Sequence, residues 1–140
     1  MSLISLLHHG HDSAAGKPEA VPWKRDSRGY YPRLLRIDPD SLAEEGGVYV
    51  LWHRGLHPQW IYVGATSDLG VSLGRARDAE IVLNYEPLGG VYVTWAPIRP
   101  EFRDGVVNFL RDTLNPLITD NMDDDRRDPG ATPIPVVSPG

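Results

Sequence analysis

No cysteine occurs among the 140 residues, which excludes disulfides and cysteine-based zinc centres and fits a reducing compartment. A long apolar run is also missing. The stretch Leu3 to Leu7 is the longest near the N-terminus, far short of the roughly 20 residues a bilayer span needs. No lysine or arginine precedes it, as a secretory signal requires, so a cytoplasmic protein is the expectation. Positive charge is scarce, with 14 Lys and Arg against 19 Asp and Glu and a net charge of −5. That balance argues against a general nucleic-acid binder, which needs clustered cations for phosphate contacts. There is no Gly-Lys-Ser/Thr phosphate loop, because the glycine pairs Gly46-Gly47 and Gly89-Gly90 lead into strand-like runs rather than helices. No Ser-His-Asp arrangement stands out.

What is present is unevenly distributed. The chain has 14 glycines and 13 prolines, and eight of those prolines fall in residues 1–40 and 120–140. Six cations against two acids between Lys17 and Arg36 give that stretch +4, whereas six arginines against ten acids between Leu42 and Asp120 give −4. Residues 1–40 read as an extended N-terminal arm with aromatic and apolar stops at Trp23, Tyr30, Tyr31, Leu34 and Leu35. These are the candidate interaction residues, docking on this domain or on another protein. Residues 41–119 read as the folded domain, and 120–140 as a Pro- and Asp-rich tail, disordered or extended.

Inside the domain, Gly47 to Trp52 and Trp60 to Gly64 have strand character, and the short turn-rich connection between them implies an antiparallel hairpin. A third strand is expected from Gly90 to Trp95. Its wording, Gly-Val-Tyr-Val-Thr-Trp, nearly repeats Gly-Val-Tyr-Val-Leu-Trp of the first, which two strands in similar pleated environments explain without a duplication. A helix is expected from Ser67 or Asp68 through Leu69, Leu73 and Ala76. Its glycines, Gly70 and Gly74, cost about 1 kcal/mol each relative to alanine and mark the close approach of another backbone. A short helix or irregular strand covers Ala79 to Tyr85. The last helix begins at Pro100, buries Phe102, Val106, Phe109, Leu110 and Leu114 as one stripe, and ends at Asn115-Pro116.

Gly47-Val48-Tyr49 and Tyr62-Val63-Gly64, with Asp68-Leu69 shortly after, resemble the signature of the GIY-YIG nucleases. The order of hairpin, helix, strand and proline-terminated helix is that family's order as well. The resemblance covers about residues 45–119. It implies a small α/β fold of the α+β type, with a three-stranded largely antiparallel sheet flanked by helices. It also implies a phosphodiesterase acting at one Mg²⁺ or Mn²⁺ ion. In such an enzyme Tyr49 would help activate water and Tyr62 would position the reacting groups. An arginine would steady the phosphate and a glutamate would hold the metal. A phenol with a pKa near 10 is a feeble base without such help.

The sequence departs from the pattern at both charged positions. The arginine position falls on Ser72, and the glutamate position on Val107, or on Asn108 with a one-residue shift. Thr119 stands near the place of the family's asparagine. A relocated set of Tyr49, Tyr62, Arg75 and Asp104 is the catalytic alternative. The plainer reading makes Arg75, Arg77, Glu101 and Asp104 solvated helix residues. The expectation is therefore a catalytically inactive GIY-YIG-like domain without a cofactor, serving as a protein-binding or assembly subunit through its N-terminal arm. The alternatives are a metal-dependent endonuclease and a non-cleaving nucleic-acid binder. The histidines His8, His9 and His11 and the run Asp123-Asp124-Asp125 read as solvated termini rather than metal sites.

Overall fold

The computed structural model describes residues 17–122 and 126–140. The expectations placed on Leu3–Leu7, on His8, His9 and His11, and on Asp123-Asp124-Asp125 lie outside the described residues. The order of elements is β1 (Gly47–His53), β2 (Gln59–Thr66), α1 (Leu69–Asp78), α2 (Glu80–Leu83), β3 (Val91–Pro97) and α3 (Pro100–Leu114). Two short 3-10 turns, Leu34–Arg36 and Pro39–Leu42, precede them. The expected small α+β architecture is present: a three-stranded sheet of order β2-β1-β3, antiparallel throughout, with helices on both faces.

Each face of the sheet has its own core. Tyr49, Leu51, Tyr62, Val91 and Val93 point to the side where α1 packs through Leu69, Leu73 and Ala76. Val48, Val50, Val63 and Ala96 point to the other side, where α3 packs through Val106, Val107 and Leu110. Alternation along a strand produces this division. A bulge breaks it once: the pairing steps from Leu51–Tyr62 to Trp52–Trp60, leaving Ile61 over. Ile61 and Tyr62 therefore both reach the first core despite being neighbours.

Local chemistry sets the helix limits. Asp68 caps α1 by accepting from the Val71 amide at 3.1 Å. α3 starts on Pro100, which has no amide hydrogen to leave unpaired, and stops at Asn115, left-handed at φ 51°. The two glycines of α1 differ in their surroundings. A Cβ on Gly70 would stand 2.4 Å from the Pro39 carbonyl oxygen, whereas one on Gly74 would meet the Pro39 side chain at an ordinary 3.6 Å. Close backbone approach holds for Gly70 alone.

The structure uses the flanking segments more fully than a plain arm and tail. Lys24 donates its amide to Trp95 O, Val93 donates to Pro32 O, and Arg33 bridges Tyr92, so residues 24–33 cover the outer edge of β3. Leu117 and Ile118 donate to Trp60 O and Ile61 O, covering the outer edge of β2. Both sheet edges are thereby shielded from pairing with another chain. Leu34 is completely buried in the first core, and Val136, from the proline-rich end, is buried in the second.

Candidate functional site

The hairpin brings Tyr49 and Tyr62 together with ring centroids 5.7 Å apart, tilted by 45°. Both rings are buried, 1% and 0% exposed. The Tyr62 hydroxyl donates to Asn121 Oδ1 at 3.3 Å and accepts from the Met122 amide at 3.1 Å. A buried phenol holding a donor and an acceptor partner has its hydrogen-bonding capacity largely used. Arg111, reaching from α3 around the β2 edge, donates to Val63 O at 2.9 Å and Thr119 O at 3.0 Å. Its guanidinium lies 5.1 Å from the Tyr62 ring centroid, within cation–π range.

Ser72 is buried on α1. With Arg75, Ala76, Ala79, Ile81 and Met122 it lines a hollow of about 200 Å³. Ser72 and Arg75 thus share a wall with Met122, whose amide serves the Tyr62 hydroxyl. A larger hollow of about 470 Å³ opens elsewhere, among Lys24, Ile37, Asp38, Glu45 and Trp95, and is lined by none of Tyr49, Tyr62, Ser72, Val107 and Asn108.

The remaining positions are on the other side of the sheet. Val107 is fully buried in the second core. Asn108 is 6% exposed, and its amide nitrogen donates to Asp128 O at 3.1 Å and Ala131 O at 3.0 Å. Its oxygen accepts from the Arg127 guanidinium. Asp104 Oδ2 accepts from the Asp128 amide at 3.0 Å. Asp104 and Arg75 therefore stand on helices packed against opposite faces. This donor set does not suit a hard divalent cation: valine carries no side-chain oxygen, and the asparagine oxygen is committed to an arginine. Among the described residues no group of three or more His, Asp or Glu converges to hold a metal ion.

Of the five interaction candidates, three contact this domain. Trp23 packs against the second core, the Tyr31 ring meets Trp52, and Leu34 is a residue of the first core. Tyr30 and Leu35 face solvent at 63% and 42% exposure. Nearby, one ring from each strand forms a row across the sheet. Trp60 and Trp52 are 5.6 Å apart, Trp52 and Tyr92 6.2 Å, and Tyr31 meets Trp52 edge-on at 5.1 Å. Arginines lie over the neighbouring rings: Arg25 over Tyr31 at 4.0 Å, Arg54 over Tyr92 at 4.9 Å and Arg28 over Tyr30 at 5.5 Å. Arg33 lies farther out over Tyr92 and binds Glu86 at 2.6 Å, and that carboxylate's hydrogen bond raises the guanidinium above its ordinary range.

Residue patterns alone miss Arg111 and Asn121. Arg111 lies one turn beyond Val107 on α3, a different helix from the one that carries the arginine position, Ser72. Asn121 had no signal in the sequence, since its contact depends on the chain returning past β2. Among the described residues no helix is long and apolar enough to cross a membrane. Comparison with protein-family models, with curated proteins and with solved structures finds no match.

Proposed function

We propose that this chain is a catalytically inactive GIY-YIG-like domain, a pseudo-nuclease acting in the cytoplasm as a protein-binding or assembly subunit. The observation that carries this reading is the burial of both phenols, with the Tyr62 hydroxyl engaged by Asn121 and Met122. A phenol so enclosed serves packing, and no water or phosphate reaches it without rearrangement. The substitutions at the charged positions support the same reading. Ser72 offers no cation for a phosphorane, and Val107 sits in an aliphatic core. Untagged protein from its own cells is expected to migrate in an assembly larger than one chain. Migration as a monomer in fresh extract overturns the assembly role.

A second reading, a nucleic-acid binder that does not cleave, is favoured by the four arginines stacked near Tyr30, Tyr31 and Tyr92. Guanidinium on aromatic faces beside a row of indoles is the chemistry of single-strand binding. It predicts affinity that falls steeply with salt. Absent or salt-insensitive binding disposes of it.

A further inference from the structure

Residues 131–140 lie in a groove between α3 and residues 19–31, and they are held there through their own main-chain atoms. Ile134 donates its amide to Gly105 O at 3.0 Å, in the middle of α3. Glu19 donates to Pro135 O at 3.1 Å and accepts from the Val137 amide at 2.8 Å, a parallel bridge opposite Val136. The Trp23 indole donates to Val137 O, Asn108 donates to Ala131 O, and the Gly140 amide donates to the Tyr31 hydroxyl at 3.1 Å. Arg25 donates to Gly140 O at 3.0 Å.

Side chains enter at two alternate positions. Val136 is 2% exposed within the second core, and Ile134 packs against the same core. Gly105 is the notch that admits them: a Cβ there would stand 2.6 Å from Thr132 O and 2.7 Å from Ile134 Cδ1. Pro133, Pro135 and Pro139 offer no amide hydrogen, and the amides used by the groove belong to Ile134, Val137 and Gly140. Proline also favours the extended conformation in advance, which lowers the ordering cost of binding. Main-chain bonds for affinity and alternate side-chain pockets for selection are the means by which extended peptides are recognised.

We infer that this groove is a recognition site for an extended peptide of a partner protein, with aliphatic residues two apart and a proline between them. The chain's own Ile134-Pro135-Val136 occupies it in cis as a displaceable competitor. Any segment with that spacing satisfies the same donors and acceptors. The inference rests on the reading of the chain as a binding module, and not on its nuclease-like ancestry.

The test uses the full-length chain, isotope-labelled, and an unlabelled synthetic peptide of the sequence 131–140. A tethered segment competes at an effective concentration on the order of millimolar, so the intact chain should release its Val137 amide signal only near that peptide concentration. Val136→Ser weakens the cis segment and should bind the peptide at least ~10-fold more tightly than the intact chain. Gly105→Ala also frees the segment but fills the notch, and should bind no peptide. The two variants thus share the loss of docking and differ in peptide uptake. A folded Val136→Ser chain that ignores the peptide overturns the inference. So does its dimerisation with exclusion of the peptide, which assigns the groove to exchange between copies. If that variant does not fold, the intact chain decides, and no displacement at millimolar peptide overturns the proposal. Such failure leaves the native-assembly and cleavage tests unaffected.

Discussion

The two faces of one sheet hold their polar groups in different ways. On the α1 face, Tyr49 and Tyr62 lie inside the core, and the Tyr62 hydroxyl meets Asn121 and Met122 where the chain returns past β2. On the α3 face the strands contribute Val48, Val50, Val63 and Ala96, and the polar Asn108 stands at the rim, where it clamps residues 127–131. The two phenols of the GIY-YIG-like signature belong to the first face. The position where the likeness asks for a metal ligand belongs to the second, and there the residues serve packing and the docking of the chain's own end.

The sharpest way to break this comparison is Val107→Glu, which places the carboxylate the likeness asks for in the aliphatic core. An unpaired buried charge costs about 3 kcal/mol or more, so the urea midpoint should fall steeply. Unchanged stability would mean that a cation or water reaches Val107. Next in size is Gly70→Ala, whose methyl meets the Pro39 carbonyl and should cost roughly 1–3 kcal/mol. Gly74→Ala, on the same helix, has room and should stabilise by up to about 1 kcal/mol. Equal effects at the two glycines would contradict the packing of the Pro39–Leu42 turn on α1.

Tyr62→Phe probes the first face directly. It removes the hydroxyl that accepts from the Met122 amide and donates to Asn121 Oδ1, and should lower stability by about 1–2 kcal/mol, read by denaturant titration. The smallest effect is expected outside both cores. Asp26 accepts from the amides of Tyr30 and Arg28, and the Tyr30 amide does most to hold its carboxyl below the ordinary range. Because the folded value is the lower one, the contribution is complete above the unfolded value near about 3.9 and is lost as pH falls through the folded value. An Asp26→Asn chain should therefore show a slightly flatter decline of the urea midpoint between pH 5 and 3 than the parent.

The regular elements were legible because their signals are local. Alternation and flanking glycines marked the three strands, the apolar stripe marked α3, and Asp68 marked the start of α1. Less was legible where meaning depends on neighbours in space. The repeated Gly-Val-Tyr wording of β1 and β3 does not give equivalent positions. Tyr49 pairs with Trp95 on the first face, while Tyr92 pairs with Trp52 and stacks on it. Nor does periodicity announce single anchors such as Leu34 and Val136, each used once to seat an extended segment. The site was half legible: the two phenols could be named from the hairpin, but Arg111 and Asn121 meet Tyr62 only through the packing of α3 and the chain's return past β2.

The central claim is that the Tyr49–Tyr62 pair is architecture and not a reacting centre. Its most direct test is incubation of the full-length chain, in excess over single- and double-stranded DNA and RNA, with Mg²⁺ or Mn²⁺, beside Tyr49→Phe. The account predicts that both proteins leave every substrate as intact as buffer does. Cleavage by the parent chain that Tyr49→Phe abolishes would contradict it.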